Sequence, residues 1–136
     1  MLTLEEARKF FKKDAYASKY AGGYIEDVSY EFSRCSLNIE KKHLNAAGFI
    51  HGGAVFTLGD FAFAVAANCS YGLTVSLSNQ ITFHRSTSGS KLYAEASILN
   101  RGKTTCFYYV KIYDDLGANI ATMTINGYIK KDPLPL

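Results

Sequence analysis

Residues 48–70 read GFIHGGAVFTLGDFAFAVAANCS, a run that contains one charged side chain. That side chain belongs to Asp60, the only acidic residue between Lys42 and Arg85. Burying an unpaired carboxylate costs several kcal/mol, which is comparable with the whole stability of a small domain. The run therefore predicts a helix from about Gly52 to Cys69 that is surrounded by protein, with one carboxylate that needs an explanation.

Apolar residues at every second position predict long strands on both sides of this helix. Before it, alternation from Val28 to Ile39 shows one slip in phase, which predicts a single long strand with a bulge near residues 33–34. After it, four alternating segments separated by short turns predict an antiparallel meander. These segments span residues 74–85, 91–101, 104–114 and 119–130.

The N-terminal residues predict short helices. A T-x-x-E capping box at Thr3 opens the first helix, and a second begins at Asp14, so residues 1–23 form a helical segment. Residues 132–136 are predicted to leave the fold as a tail. One apolar helix and five or six strands make a single α+β domain over residues 1–136, with the sheet curled around the helix.

The composition excludes several classes of function. A net charge of +3 is too small for the dense basic face that duplex nucleic acid requires. Four charged side chains within residues 5–9 leave no room for a signal peptide, and polar residues and glycines interrupt the apolar run before it can span a membrane. Three widely spaced cysteines, at positions 35, 69 and 106, indicate buried, reduced thiols in a cytoplasmic protein.

Two glycines, Gly52 and Gly53, begin the long helix. Backbone N–H groups in a first helical turn lack intrahelical acceptors, and glycine lets a substrate approach them closely, so this turn can hold an oxyanion. The alternative is that the glycines only start a crowded helix. His51 and Asn45 have similar alternatives, since a histidine at a helix start is often a structural hydrogen-bonding group and asparagine is a frequent turn residue.

Asp60 follows Gly53 by seven residues, which puts both on one helix face but about 10 Å apart along the axis. This separation is too long for both to act on one carbonyl carbon within a single chain. An antiparallel helix pair across a twofold axis would bring Asp60 of one chain to the glycine turn of the other. The structural alternative for Asp60 is to cap a neighbouring turn or to pair with Arg85 across the interface.

The motif N-x-x-G-x-x-H-G-G at residues 45–53, followed by L-x-D at residues 58–60, resembles the signature of the hotdog-fold acyl-CoA thioesterases, specifically the PaaI-like group. The similarity extends from Asp14 to Lys130. The resemblance implies the hotdog fold, a homodimer with one continuous sheet that commonly doubles into a tetramer, and no metal or redox cofactor. Coenzyme A would enter only as part of the substrate.

The resemblance also implies roles for individual residues. Asp60 would be the nucleophile or general base, and the Gly53 N–H would polarise the thioester carbonyl. Asn45 and His51 would position substrate or water, and Ser76 would orient the water. The phosphates and the pantetheine arm of coenzyme A would contact Arg85, Arg101, Gly102 and Lys103, with Gly52 allowing close approach.

The same residues also fit other interpretations. Three cations at turns can be an ordinary solvated surface, and Ser86 follows Arg85 where relatives often carry proline. A hotdog dehydratase or hydratase is an alternative enzyme, although the chain lacks the Gly-His-Phe-Pro motif of one major branch. A non-catalytic acyl-CoA sensor is another, but the 23 residues before the first strand are too few for a DNA-binding element. The family name favours aryl-acetyl groups, while aromatics such as Phe49 and Phe61 can be pocket or plain core.

Overall fold

The computed structural model describes all residues, Met1–Leu136. The helices are α1 (Leu4–Phe11) and α2 (Gly52–Tyr71), and a π-helical turn (Ala15–Tyr20) lies between α1 and the first strand. The strands are β1 (Tyr24–Ser29), β2 (Phe32–Asn38), β3 (Thr74–Phe83), β4 (Lys91–Arg101), β5 (Thr105–Asp114) and β6 (Asn119–Ile129). The capping box is confirmed, since Thr3 Oγ1 accepts from the Glu6 N–H at 3.2 Å and Glu6 Oε2 accepts from the Thr3 N–H at 2.9 Å.

The six strands form one antiparallel sheet in the order β1-β2-β4-β5-β6-β3, packed against α2. This arrangement confirms the α+β class and the sheet wrapped around one long helix. The predicted meander is wrong in one connection, because β3 pairs with β6 while β4 pairs with β2. Helix α2 carries the chain across the sheet between β2 and β3, so β3 joins the far edge and leaves the side of β2 free for β4.

The prediction of one bulged strand from Val28 to Ile39 is wrong, because this region is part of a hairpin. Strands β1 and β2 are antiparallel partners, and the chain reverses at Tyr30 and Glu31, where Glu31 has a φ of 60°. A chain reversal shifts the apolar phase just as an inserted residue does, so periodicity alone cannot separate the two. The irregularity in pairing lies earlier, between Ile25 and Asp27.

Helix α2 lies very close to the sheet at Gly59. A methyl group on Gly59 would lie 3.0 Å from Ile112 Cδ1 and would overlap the sulfur of Met123, so a larger residue fits there only if these side chains shift. The helix is long and apolar enough to cross a membrane, but 61% of its most apolar 18-residue stretch is buried inside the fold. Helix α2 is therefore the core helix around which the sheet curls.

Both chain ends return to the C-terminal end of α2. The Leu2 N–H donates to the Cys69 carbonyl at 3.2 Å, and the Leu73 N–H donates to the Asp132 carbonyl at 3.0 Å. Lys13 Nζ donates to the Pro135 carbonyl at 2.6 Å, which holds the C-terminal residues beside α1. Residues 132–136 contain no helix or strand and are exposed except for the half-buried Leu134, so they form a tail that these two hydrogen bonds tie to the domain.

Candidate active site

The Asp60 carboxylate has no partner within the chain. It is half-buried on α2, and the three ion pairs of the protein join other residues, namely Glu40–Lys42, Glu26–Lys91 and Glu31–Arg101. Burial raises the pKa of the Asp60 carboxyl, and the nearby charge of Asp14 raises it further. A pair with Arg85 of the same chain is thus not formed.

His51 caps the start of α2 with its own side chain. The Gly53 N–H donates to His51 Nδ1 at 2.8 Å, and the N–H groups of Ala54 and Val55 donate to the His51 carbonyl. The Gly52 N–H has no protein acceptor. In this first turn the Gly52 amide is therefore open, whereas the Gly53 amide opens only when the His51 ring turns away.

Asn45 organises the loop before α2. Its Oδ1 accepts from the N–H groups of Ala47 at 3.0 Å and Phe49 at 3.1 Å, and its own N–H donates to the Phe49 carbonyl at 2.7 Å. The side-chain oxygen is thus used within the loop, which is the turn role considered as an alternative. The side-chain nitrogen has no protein acceptor and can donate to a ligand.

Arg85 lies at the same end of the molecule as the glycine turn. It lines a cavity of about 350 Å³ together with Gly52, Phe49 and Phe83. The Phe83 ring packs against Gly52, where an added Cβ would lie 3.1 Å from Cζ. The resemblance implies that Arg85, Arg101 and Lys103 contact coenzyme A. Of these three, Arg85 is the one that lies beside the glycine turn of the same chain.

Arg101 lies at the opposite end of α2. Its Nε pairs with Glu31 Oε1 at 2.5 Å, and its guanidinium faces the rings of Tyr30 and Tyr71 at 5.9 and 5.7 Å. Tyr71 is the last residue of α2, whereas Gly52 is the first. The Gly102 N–H donates to the Thr105 carbonyl at 2.8 Å within the turn between β4 and β5. Lys103, in the same turn, is exposed and forms no ion pair. Within one chain these residues and Arg85 are separate groups.

Ser76 lies on β3, an edge strand of the sheet. It sits opposite Gly127 in the β3–β6 pair, beside a bulge at Leu77, and its side chain is exposed. Strand β3 has no neighbour on its other side, and Leu77 is 63% exposed. Ser76 therefore belongs to a surface that a second chain can cover.

The structure also adds residues that the sequence interpretation missed. Asp14 caps the π-helical turn by accepting from the Ala17 N–H at 3.0 Å, and its charge acts on Asp60.

A cavity of about 490 Å³ borders the glycine turn, with Tyr16, Tyr20 and His43 in its wall. His43 lies just before the motif and eight residues before His51. A histidine so close to the motif was the signal in the sequence that could have identified this part of the cavity wall. No group of three or more His, Cys, Asp or Glu side chains is placed to hold a metal ion.

An antiparallel sheet around one long helix, with an acidic residue on that helix and a glycine turn at its start, is the architecture that the resemblance implied. The family profile described as "Thioesterase superfamily" matches residues 47–128. The acyl-coenzyme A thioesterase PaaI of Escherichia coli (strain K12) is 30% identical over 118 residues, covering 86% of this chain and 84% of that protein.

Solved structures share the fold. The E. coli PaaI protein from the phenylacetic acid degradation operon superposes with a TM-score of 0.87 at 23% identity, covering 98% of this chain and 99% of that one. The smu.793 protein of Streptococcus mutans UA159, solved bound to acetyl CoA, has a TM-score of 0.77 at 21% identity, covering 82% and 91%. The chain belongs to the thioesterase superfamily and is a PaaI-like hotdog thioester hydrolase.

Proposed function

We propose that the protein hydrolyses acyl- or aryl-acyl-CoA thioesters to the free acid and coenzyme A, with Asp60 as nucleophile or general base. The observation that carries this proposal is the half-buried Asp60 carboxylate, which has no partner in its own chain. Buried acids are usually paired, so an unpaired one with a raised pKa marks a functional site. Binding of acetyl CoA by the S. mutans neighbour and the activity named for E. coli PaaI support coenzyme A as the thiol.

Two balanced routes fit this carboxylate. In one, Asp60 attacks the thioester carbonyl, the C–S bond breaks to release coenzyme A, and water hydrolyses the resulting anhydride. In the other, Asp60 takes a proton from water, the hydroxide attacks the carbonyl, and the departing thiolate of coenzyme A receives the proton. Both routes place negative charge on the carbonyl oxygen and need donors there.

The first turn of α2 supplies these donors. The Gly52 N–H is open, and the Gly53 N–H becomes available when the carbonyl oxygen displaces His51 Nδ1. One good donor to an oxyanion contributes on the order of 10²- to 10³-fold in rate. Ser76 and the free amide nitrogen of Asn45 are proposed to orient water or substrate, and Arg85 is proposed to bind the phosphates of coenzyme A.

A second copy of the chain is proposed to complete the site. Asp60 and Gly53 are about 10 Å apart along one helix, so the turn that serves Asp60 must come from a partner. The unpaired edge strand β3, with Val75 and Leu77 exposed, is suited to pair with its own copy across a twofold axis. Arg101, Gly102 and Lys103 would then contact coenzyme A from the partner. Doubling of this dimer into a tetramer stays a prediction.

A cytoplasmic location is also proposed. The three free buried cysteines support it, because such thiols persist in a reducing compartment.

The decisive experiment measures thiol release from a panel of acyl-CoA thioesters that differ in acyl size. We expect hydrolysis by the native protein, and loss of at least 10²-fold in kcat with retained acyl-CoA binding for Asp60→Asn. Asp132→Asn, an exposed carboxylate on the C-terminal residues, is the matched control and should keep native turnover.

Three outcomes would contradict the proposal. Near-native hydrolysis by Asp60→Asn would remove Asp60 from the mechanism. Hydration of an enoyl-CoA without thiol release would indicate the hydratase alternative. Binding of acyl-CoA with no turnover of any thioester would indicate the non-catalytic alternative.

A further inference from the structure

His43 uses both ring nitrogens inside the protein. It is 4% exposed, its Nδ1 accepts from the Glu40 N–H at 2.9 Å, and its Nε2 lies 2.7 Å from the Ala21 carbonyl oxygen. An amide N–H can only donate and a carbonyl can only accept, so Nδ1 is unprotonated and Nε2 carries the proton. The ring is therefore a neutral imidazole held in one tautomer and one orientation.

These bonds join two segments that are far apart in sequence. Ala21 ends the N-terminal helical segment, and its own N–H donates to the Tyr16 carbonyl at 2.9 Å. On the other side, the His43 carbonyl accepts from the His51 N–H at 2.7 Å. One residue thus connects the end of the π-helical turn to the residue that caps α2.

The cavity of about 490 Å³ lies between those two segments. Tyr16 and Tyr20 form its N-terminal side, and they are 70% and 63% exposed, so little besides their backbone holds them in place. The opposite side contains His51 and Gly53 of the proposed oxyanion site. His43 and Ala21 also line this cavity, so their hydrogen bond joins its two sides.

The π-helical turn behaves as one unit because its backbone is bonded within itself. Asp14 caps its start, and the Gly23 N–H donates to the Ala17 carbonyl at 2.8 Å beyond its end. The start of the segment is further anchored by Phe11, whose ring packs edge-on against Phe61 of α2 at 5.7 Å. A displacement at Ala21 therefore moves both tyrosines relative to the glycine turn.

We propose that His43 is a positioning residue for acyl-group selection: its bond to the Ala21 carbonyl holds Tyr16 and Tyr20 against the acyl group of the substrate. This inference rests on the proposed thioester hydrolysis at Asp60. A large acyl group fills the cavity and contacts the tyrosines, whereas an acetyl group is too short to reach them. The proposal assigns substrate selection to the N-terminal segment and to a histidine outside the N-x-x-G-x-x-H-G-G motif.

Two substitutions separate the two bonds of the His43 ring. In His43→Asn the side-chain oxygen takes the place of Nδ1 and accepts from Glu40, but the side chain is too short to reach Ala21. In His43→Gln the side-chain nitrogen takes the place of Nε2 and donates to Ala21, while the Glu40 bond is lost. Tyr16→Ala and Tyr20→Ala remove the proposed wall, and Tyr24→Ala is the matched control because Tyr24 is exposed outside the cavity.

We expect His43→Asn to raise KM for phenylacetyl-CoA and octanoyl-CoA about three- to tenfold, while kcat and the KM for acetyl-CoA stay within about twofold. His43→Gln and Tyr24→Ala should resemble the native protein, and the two tyrosine variants should reproduce the effect of His43→Asn. Amide hydrogen exchange of residues 15–23 should accelerate in His43→Asn but not in His43→Gln.

Equal behaviour of the two histidine variants, in kinetics or in hydrogen exchange, would overturn the proposal. An equal loss of kcat for every acyl group would also overturn it, since that result would place His43 in the chemical step or in general stability. If the native protein cleaves no thioester, the proposed function fails and the kinetic part of this inference fails with it. The hydrogen-exchange comparison then still decides whether His43 holds the segment.

Discussion

At the scale of single residues, the chemistry of the site depends on groups that its own chain leaves partly unsatisfied. The Asp60 carboxylate has no hydrogen bond or ion pair in its chain, and the Gly52 N–H has no acceptor. A folded protein gains nothing from such groups, so they are typical of sites where stability is given up for function. The three cysteines contrast with this, because burial raises the pKa of Cys35 and Cys69 to about 12 and that of Cys106 to about 11, which makes these thiols inert.

The raised pKa of Asp60 leads to a stability prediction. The folded state favours the protonated carboxyl, so the ionised form costs stability above the raised pKa, and this cost disappears as the pH falls to the ordinary aspartate pKa of 3.8. Asp60→Asn should therefore raise Tm at pH 7, and the difference from the native protein should shrink as the pH falls towards about 4. Thermal unfolding at fixed protein concentration measures this, with Asp132→Asn as the control. A lower Tm for Asp60→Asn at pH 7 would contradict it.

At the scale of secondary-structure elements, the position of the site depends on how α2 rests on the sheet. Gly59 precedes Asp60 and faces Met123 of β6 and Ile112 of β5, so the helix cannot rotate without a clash. This contact points Gly59 at the sheet and leaves Asp60 half-buried beside it. The geometry of the carboxylate is thus fixed by the packing of its neighbour.

Gly59→Ala should destabilise the protein by about 1–3 kcal/mol through overpacking, although alanine favours helix over glycine. Met123→Ala alone should cost about 2–5 kcal/mol through the cavity it leaves. The double variant should lose less than the sum of the two, because the shortened side chain makes room for the new methyl group. Denaturant unfolding of all four proteins gives the coupling energy. Strict additivity would show that the two side chains do not share this space.

At the scale of the whole molecule, the unpaired edge strand β3 is the feature that bears on activity. Strand β3 presents ten residues, Thr74–Phe83, with no neighbour on one side. Long, exposed, apolar edge strands are normally covered, and pairing with a copy of the same strand is one way to cover them. Because the proposed site needs a glycine turn from another chain, association and activity should be lost together.

Leu77→Glu tests this link, since a twofold axis through β3 would bring two new carboxylates close together. We expect dissociation, measured by size-exclusion chromatography with light scattering, and a loss of thioesterase activity in proportion to the monomer fraction. Leu99→Glu is the matched control, because Leu99 on β4 is exposed to a similar extent, 57% against 63% for Leu77. Full activity of a Leu77→Glu monomer would refute the proposal of a shared site.

The sequence by itself determined the long helix, the strands that follow it and the class of the protein. The capping box at Thr3, the apolar run from Gly52 and the alternating segments after it are local signals, and residues 45–60 carry the motif that leads to the thioesterases. Local signals persist in any arrangement of the elements, which is why they could be read without a structure.

Only the tertiary structure decided how these elements meet. It showed a hairpin at Glu31 where a bulge was predicted, placed β3 at the edge beside β6, closed the Gly53 amide with His51, and bound Ala21 to His43. Strand order and hydrogen bonds between distant segments depend on which residues come together in space. Periodicity along the chain contains no information about that choice, because each strand offers the same alternating pattern to every neighbour.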